Sequence, residues 1–460
     1  RSAVEERLAD IWQQLLKVPR VGVHDNFFEL GGDSILAVRF IAKARENGFT
    51  FRPNQLFQNQ TVADLALLAD TQRPFPLTAV QHHLLTTAAE PMVLQLQLNT
   101  ALDGERLNRA LDILQQLPNL KVNFTQDGAG QWQQQAVEPP MTRLLATEKL
   151  THLVSKTEQA EALQTAVTTL KQRLDHHTPP HIAAALLQLP QQEMLLLAAA
   201  PLVLDRAAVP HLLHALAYAY QHGKLPTWPQ TSWQEWLAIE PAALDRAYWQ
   251  EMASQIAPLP SEPVDNASQP AKPLVRLRLT ADKTAELTHV QSSYNMSLEE
   301  VVLTAVAQTL THWQKSEHLW LLTAQYHRGA AVSGLNTRQT IGQLQTNTPL
   351  HLHAPAATDA AAWLQQTKAD VRHLPALTHD DGTAWPGTPQ VSFVWQPEIT
   401  AVAPFTPLSL LAPHGMTTPL TLVAGQIGDQ LHVDWFYDPE RFRHTTIVAL
   451  SQQWQRHLDQ

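Results

Sequence analysis

The residue with the clearest capacity for covalent chemistry is Ser34, which follows Gly31, Gly32 and Asp33. The glycines end an irregular polar loop, and residues 35–47 have helical apolar periodicity, so Ser34 is predicted at a helix N-terminus. The free N–H groups there favour an incoming phosphate, and glycine lets another protein's backbone approach closely. Taken alone, these features favour a plain N-cap role for the serine, which is common at such a position. A covalent attachment site is the alternative, and it is the longer string around Ser34 that favours it.

Three amphipathic helices would position this serine near the start of the chain. The apolar spacing predicts helices over residues 3–16, 35–47 and 61–69, with Ile35 and Val38 on the apolar face of the second helix. Three such helices in so short a segment make a small α-helical bundle.

Two breaks in the pattern divide the chain. We predict a helical domain at 1–70, a linker at 71–76, and a second linker at 258–273 that contains five prolines. The segments 77–257 and 274–460 each alternate apolar strands with helices, which predicts two α/β lobes of similar size.

Composition excludes several classes of function. The 460 residues are 44% hydrophobic and 16% charged, as in packed globular domains, and the net charge is −10 without a basic tract, so we expect no nucleic-acid partner. No apolar run is long enough for a membrane span. Cysteine is absent, which excludes disulfides and thiol ligands, so we expect a cytoplasmic protein. The chain lacks an initial methionine and ends in a helical pattern, so we expect a piece of a longer polypeptide.

Two histidine-rich runs carry donor atoms that could bind a metal. They are His82-His83 and Asp175-His176-His177. Adjacent residues point apart on a strand or helix, and the second run precedes a loop signal. We therefore predict no metal site at either run.

The string DNFFELGGDSI at 25–35 resembles the phosphopantetheine attachment motif of peptidyl carrier domains from nonribosomal peptide synthetases. The resemblance covers about residues 1–70. In that family the serine carries a 4′-phosphopantetheine arm, and aminoacyl groups are held on its thiol as thioesters. The resemblance assigns this role to Ser34, beside Gly32 and Asp33. It implies a phosphopantetheinyl transferase, an adenylation domain and other adjacent synthetase domains as partners.

Three further strings are similar to motifs of the condensation/epimerization superfamily of the same synthetases. They are FPLTAVQ at 75–81, TIGQLQTNTP at 340–349 and VSFVW at 391–395, where Val394 replaces an asparagine. The resemblance implies two lobes with the chloramphenicol-acetyltransferase fold and an active-site tunnel between them. Asp33 supports the epimerization branch, whose carriers often have an aspartate there.

The first catalytic motif of that superfamily is degenerate in this chain. Residues that follow a predicted buried strand stand where the family has HHxxxDG. Ala200 replaces the first histidine, Pro201 replaces the second, which is the acid/base of the family, and Arg206 replaces the glycine. Asp205 survives, and in the family this aspartate is mostly structural.

The second catalytic position is also changed. The string AQYHR at 324–328 stands where epimerization domains have EGHGR, so Ala324 replaces the glutamate. Abstraction of an α-proton from a thioester requires titratable groups within hydrogen-bond reach, and alanine and proline have none. We therefore expect neither epimerization nor condensation by the family mechanism.

Two types of domain related to the epimerization branch keep such a two-lobe fold and use it to recruit other enzymes. The X-domain recruits cytochrome P450 enzymes, and the interface domain recruits Fe(II)/2-oxoglutarate hydroxylases. The resemblance therefore predicts a carrier joined to a non-catalytic domain that recruits a tailoring oxygenase acting in trans. Two alternatives stay open: an active domain with relocated catalytic residues such as Tyr326 or His327, and an inert structural spacer.

Overall fold

The structure is a computed structural model that describes residues 3–47, 49, 51, 53–71, 74–87, 89–140, 142–175, 177–228, 230–237, 257–260, 262, 273–328, 335–357, 359–372, 389–399, 401–412 and 418–460. His176, residues 72 and 73 of the first predicted linker, and most of the second predicted linker lie outside the described residues.

Helices and strands alternate along most of the described chain. The helices are α1 (Ala3–Leu16), α2 (Ser34–Glu46), α3 (Pro53–Gln58), α4 (Val62–Thr71), α5 (Ala79–Thr86), α6 (Gly104–Leu114), α7 (Lys156–Gln172), α8 (Val209–His222), α9 (Trp233–Leu237), α10 (Ala281–Tyr294), α11 (Leu298–Gln314), α12 (Ala360–Arg372) and α13 (His444–Leu458). The strands are β1 (Phe75–Pro76), β2 (Met92–Leu98), β3 (Val122–Gln126), β4 (Trp132–Ala136), β5 (Leu145–Lys149), β6 (Ile182–Gln188), β7 (Glu193–Ala199), β8 (Leu274–Arg278), β9 (His318–Tyr326), β10 (Gln345–His353), β11 (Val391–Gln396), β12 (Phe405–Pro407), β13 (Leu420–Ile427) and β14 (Gln430–Tyr437).

The chain forms two compact units, of which the first comprises Arg1–Pro76 and Lys121–Glu138. Helices α1 to α4 enclose an aromatic core in which the Trp12 ring meets the Phe27 ring edge-on, with the ring centroids 4.9 Å apart, and Phe40 is also buried. This confirms the predicted helical bundle and adds the short helix α3. The same unit contains the antiparallel sheet β1-β4-β3.

The apolar face predicted for α2 is wrong at two positions. Ile35 and Val38 are 67% and 61% exposed, and the helix instead buries Ala37, Phe40 and Ala44. Both sets have helical spacing, so periodicity alone did not identify which set faces the core.

The second unit comprises Leu77–Leu120 and Pro139–Gln460. Residues 121–138 of the segment predicted as the N-terminal lobe therefore belong to the first unit instead. In the N-terminal lobe the sheet order is β12-β2-β7-β6-β5. Strand β2 alternates buried and half-buried residues, and β7 is buried along most of its length, as its apolar run predicts. Strand β12 pairs with β2 although it lies in the chain segment 274–460, so the C-terminal segment completes the other lobe's sheet.

The C-terminal lobe is built on a six-stranded sheet of order β10-β9-β11-β13-β14-β8. Helix α11 begins at a capping box, in which the Ser297 hydroxyl accepts from the Glu300 N–H and the Glu300 carboxylate accepts from the Ser297 N–H. Its buried face packs with α13 and α12 on one side of the sheet.

None of the helices in the described part of the chain combines the length and the apolar composition that a bilayer span requires.

Candidate functional site

Ser34 is the first residue of α2, and its side chain is exposed. The helix is capped by its neighbour, because the Asp33 carboxylate accepts a hydrogen bond of 2.7 Å from the Leu36 N–H and the Asp33 carbonyl accepts one from the Ala37 N–H. The N-cap role considered for Ser34 therefore belongs to Asp33. This leaves the serine hydroxyl at the positive end of the helix dipole, available to a phosphate-bearing group.

The two positions before Asp33 require glycine for different structural reasons. Gly31 has a φ of +97°, which side chains rarely adopt. A Cβ on Gly32 would lie 2.4 Å from ring atoms of Phe27 and 2.5 Å from its carbonyl oxygen. Gly32 is thus required by packing inside the chain. The predicted approach of another protein at these glycines stays a prediction.

The loop that contains the catalytic-motif positions accepts hydrogen bonds from side chains of both lobes. Strand β7 ends at Ala199, and Ala200 and Pro201 after it are buried. The Gln81 amide donates to the Leu202 carbonyl over 3.0 Å, and the Gln343 amide donates to the Pro201 carbonyl over 3.0 Å. The loop is fixed through its backbone, and the side chains of Ala200 and Pro201 offer no proton-transfer group.

Asp205 forms a buried ion pair between the lobes. Its carboxylate accepts from the Arg328 guanidinium over 2.7 Å, with side-chain exposures of 0% and 7%. The same oxygen accepts from the Leu344 N–H over 2.7 Å, and the other oxygen accepts from the Ala208 N–H over 2.9 Å. Arg328 also donates to the Gly342 carbonyl over 2.8 Å. We call Asp205 and Arg328 the inter-lobe clasp; the structural role expected for Asp205 fits these bonds.

Arg206, which stands where the family has glycine, adds a second connection. Its guanidinium is buried and donates to the carbonyls of Leu411 and Ala412, in the segment that follows β12. Burial lowers the pKa of Arg206. Arg206 thus bonds the loop after β7 to the segment after β12.

Ala324, at the lost glutamate position, lies in an apolar cluster. It is 5% exposed and packs with Val394, Leu410 and Val423. Val394 is the residue that replaces the motif asparagine, and it lies on the strand next to β9. Ala324 and Val394, which the motif resemblance aligns with polar positions, therefore lie in one apolar cluster.

A cavity of about 740 Å³ lies between the lobes and contains titratable groups that the sequence did not reveal. Ala207 and His211 line it from the N-terminal lobe, and Glu299, Ala324 and Tyr326 line it from the C-terminal lobe. Sequence reasoning missed His211 and Glu299. The sequence signal for each residue was its position in the first turn of a helix. That position does not predict that the two side chains line one cavity from opposite lobes.

The pKa values of these groups are shifted by burial. Burial, with a smaller effect of Glu300, raises the pKa of Glu299 to about 7. Burial and the Arg328 charge lower the pKa of His211, which keeps its imidazole neutral at neutral pH. Burial raises the pKa of Tyr326, so its hydroxyl stays protonated. A carboxyl near half-protonation and a neutral imidazole are groups that can accept or donate a proton.

Tyr326 and His327 were the residues named for a relocated active site. Among the described residues that line this cavity, Tyr326 is present and His327 is not. His327 forms a hydrogen bond of 2.7 Å with the Thr346 hydroxyl, and its ring lies 5.5 Å from that of Trp236. These contacts are those of a structural histidine.

Comparisons with known proteins identify two protein families along the chain. The condensation domain family matches residues 71–379, and the phosphopantetheine attachment site family matches residues 6–68. The attachment-site family implies 4′-phosphopantetheine as the prosthetic group.

Two curated relatives match the whole chain. One of the linear gramicidin synthase proteins of Brevibacillus parabrevis is 29% identical over 99% of the chain, and surfactin synthase subunit 1 of Bacillus subtilis is 24% identical over 99%. The chain spans only 7% and 14% of the lengths of these two proteins.

Two solved structures share the fold over 84% of the chain at 19% identity. The epimerization domain from the third module of tyrocidine synthetase B has a TM-score of 0.70 and covers 84% of this chain, which in turn covers 95% of it. The first condensation domain of the calcium-dependent antibiotic synthetase, in complex with a substrate analogue, has a TM-score of 0.68 with coverages of 84% and 96%. The expected carrier helices and chloramphenicol-acetyltransferase-like α/β fold are confirmed. The chain therefore belongs to the condensation domain family and carries a phosphopantetheine attachment domain ahead of that domain.

Proposed function

We propose that Ser34 carries the 4′-phosphopantetheine arm and that the condensation-family domain displays the tethered aminoacyl or peptidyl thioester without transforming it. In this proposal the two-lobe body recruits a tailoring oxygenase in trans, of the P450 or Fe(II)/2-oxoglutarate type. A phosphopantetheinyl transferase loads the arm, and adenylation and other synthetase domains act beside the chain.

The surroundings of Ser34 fit the prosthetic group. The hydroxyl is exposed at a helix start that Asp33 caps, and the apolar side chains Ile35, Val38 and Phe57 are exposed in the same domain. When bound, the group supplies the thiol that this cysteine-free chain lacks. The helix N-terminus stabilises the phosphodiester charge, and the exposed apolar side chains offer contact area to enzymes that visit the carrier.

The observation that carries the display proposal is the chemistry of three residues. Ala200, Pro201 and Ala324 stand where the family places its acid/base groups, and all three are buried. A proton cannot be relayed by any of them. The inter-lobe clasp, the Asp205–Arg328 ion pair, is nevertheless present. A domain that keeps its fold to display a substrate is expected to retain such a structural ion pair.

Recruitment follows from effective concentration and from the family resemblance. A partner bound to the same chain meets the tethered substrate at an effective concentration that can reach about 1 mM, which compensates for a weak direct encounter. Such a partner needs roughly 1,000 Å² of complementary surface. No residue named here specifies the oxygenase, so its type is part of the test.

The first experiment measures proton exchange. The protein is loaded with an aminoacyl-pantetheine group by a promiscuous phosphopantetheinyl transferase and incubated in deuterated water, and deuterium at Cα is measured by mass spectrometry. Display predicts exchange no faster than that of the same thioester free in solution. Ser34→Ala should show no mass gain in the loading step, and a persistent gain would refute the attachment residue.

A second candidate function is supported by one observation, namely that His211 and Glu299 line the same inter-lobe cavity from opposite lobes. A neutral imidazole and a carboxyl whose pKa is about 7 could serve as a relocated acid/base pair. Exchange above the solution rate that disappears in Glu299→Gln would establish this candidate and refute display. Exchange above that rate that is unchanged in Glu299→Gln and His211→Asn would refute both the display proposal and this pair.

Recruitment has its own test. The loaded protein is immobilised, and purified P450 and Fe(II)/2-oxoglutarate hydroxylases that are encoded beside it are passed over it. Retention of one type with the loaded protein supports recruitment. Retention of neither type supports the inert spacer instead.

A further inference from the structure

Three histidines lie together at one end of the C-terminal lobe's sheet, and none belongs to the runs His82-His83 or Asp175-His176-His177. His318 begins β9 and His353 ends β10, and the two residues are directly paired in the antiparallel register. His351 lies two residues before His353 and therefore points to the same face of the strand. The strand pairing thus brings together imidazoles from two segments that are far apart in sequence.

The spacing of their nitrogen atoms suits a single metal ion. One ligand atom from each histidine lies within 4.8 Å of the others, and His318 Nδ1 is 3.1 Å from His351 Nε2. Around tetrahedral Zn²⁺, with Zn–N distances of about 2.0–2.1 Å, neighbouring ligand nitrogens are about 3.3 Å apart. One pair therefore already has the required separation, and rotation of the His353 ring would bring the third nitrogen closer.

A carboxylate supports the third histidine from behind. His353 Nδ1 lies 3.2 Å from Asp370 Oδ1, and the His353 N–H donates to Asp370 Oδ2 over 2.8 Å. The Gln366 amide donates to the same carboxylate over 2.9 Å. Metal-binding histidines usually donate their other ring N–H to such a carboxylate, which fixes the tautomer and leaves Nε2 for the ion.

The ring of His351 is also held in place. It stacks on Trp320 with the ring centroids 4.7 Å apart and the planes 10° from parallel. Trp320 lies directly opposite His351 in the strand pair. A ligand whose ring plane is set by packing loses less conformational freedom when it binds an ion.

We propose that His318, His351 and His353 bind one divalent transition-metal ion, with Zn²⁺ as the preferred ion. Three imidazoles without a thiol or a directly bound carboxylate favour Zn²⁺, Ni²⁺ or Cu²⁺ over Mg²⁺ or Ca²⁺. The His353 side chain is 40% exposed, so water can take the fourth position.

The ion connects the edge strand to its neighbours. Strand β10 is at the edge of the six-stranded sheet, and the ion would join it to β9 and, through Asp370, to α12. Ala324 is six residues further along β9 than His318, a distance of roughly 20 Å at about 3.3 Å per residue. His318, His351, His353 and Asp370 are not among the described residues that line the inter-lobe cavity, although Leu350 and Val371 beside two of them are. The role that we assign to the ion is to hold this end of the lobe together.

The test uses tag-free protein that has been dialysed against a chelator. Titration with Zn²⁺ by calorimetry should give one tight site per chain, and Co²⁺ in its place should give the visible absorption of tetrahedral coordination. His353→Gln should abolish the tight site and the Co²⁺ spectrum. Asp370→Asn should weaken binding about 10–100-fold while keeping the stoichiometry.

The controls separate this site from the chain's other histidines. His289→Gln, an exposed histidine on α10, should leave the affinity and the spectrum unchanged. His353→Gln is chosen because its side chain is partly exposed, and circular dichroism shows whether it folds; His318→Gln is the second variant. Absence of a stoichiometric Zn²⁺ site in the wild type, or its persistence in both variants, would overturn the proposal. Neither result depends on the role of Ser34 or on the display function.

Discussion

Substitution of Asp205 by asparagine tests whether the inter-lobe clasp holds the two lobes together. The Asp205 carboxylate accepts hydrogen bonds from Arg328 and from the N–H groups of Leu344 and Ala208. All three partners are donors. An asparagine is nearly the same size, but its amide nitrogen must face a donor whichever way it turns, and the Arg328 charge remains without a counter-charge.

The magnitude follows from burial. Asp205 and Arg328 have side-chain exposures of 0% and 7%, and removal of one partner of a buried pair costs about 3–5 kcal/mol because the other charge is left uncompensated. At about 2 °C per kcal/mol, the value for large domains, the unfolding midpoint of Asp205→Asn should fall by roughly 6–10 °C. That loss is a large share of the usual stability of a folded domain.

The matched control is an exposed ion pair of the same length in the same unit. Arg143 and Glu105 are 2.7 Å apart, as are Arg328 and Asp205, but their side chains are 58% and 67% exposed. Glu105→Gln should therefore change stability by less than about 1 kcal/mol. Thermal unfolding of both variants is followed by scanning calorimetry.

A double variant adds a second measurement. In Asp205→Asn with Arg328→Met, no charge is left buried without a partner, so the destabilisation should be smaller than the sum of the two single losses. Equal midpoints for Asp205→Asn and Glu105→Gln would refute the view that the clasp is a buried structural pair. So would additive losses in the double variant.

Three further predictions concern the carrier, the cavity and the lost motif. Gly32→Ala should destabilise the first unit by about 1–3 kcal/mol in urea unfolding, because the new Cβ meets an aromatic ring and a carbonyl of its own chain. Folding raises the pKa of Glu299 from 4.5 to about 7, so the stability that its protonated form supplies is complete below pH 4.5 and is lost as pH rises through 7. Glu299→Gln should thus match the wild type near pH 4.5 and exceed its stability by about 3 kcal/mol above pH 8, whereas the exposed control Glu286→Gln should change by less than about 1 kcal/mol at either pH; a constant Glu299→Gln difference would contradict the raised pKa. The double variant Pro201→His, Ala324→Glu should not racemise a loaded thioester in the deuterium assay, since the new carboxyl would enter an apolar cluster; racemisation would show that the lost motif is sufficient.

Much of the fold was predictable where local signals and tertiary packing agree. The alternation in β2, the buried run of β7 and the capping box of α11 each follow from residue types over a few positions. Helix α3 and strand β12 were not predicted, because such short elements give no periodicity. The place of β12 in the other lobe's sheet depends on a pairing with β2, which is remote in sequence, and no local pattern contains that pairing.

The two candidate sites, at Ser34 and in the inter-lobe cavity, were predictable to different degrees. The sequence of the loop before α2 was enough to predict Ser34 at the start of a helix. Glycine, aspartate and serine are residue types that the backbone favours where a loop ends and a helix begins. The exposure of Ile35 and Val38 was missed, because exposed apolar residues at these positions have the same helical spacing as residues that face the core. His211 and Glu299 were missed because they come together only when the lobes approach each other.

Loss of one charge from a buried ion pair and loss of a catalytic side chain from a cavity differ in how much folding free energy they cost. Asp205 and Arg328 are buried charges that neutralise each other, so neither can be lost alone without leaving a bare charge in the interior. A catalytic histidine or glutamate in an open cavity has no such partner, and replacement by alanine or proline leaves a packed apolar surface, as at Ala324. Loss of chemistry with retention of the lobe geometry is therefore physically easy, whereas the reverse is not. Under the display proposal, a two-lobe domain that does not relay protons at the motif positions can therefore remain folded around the same cavity, and its surface and cavity can take on another use.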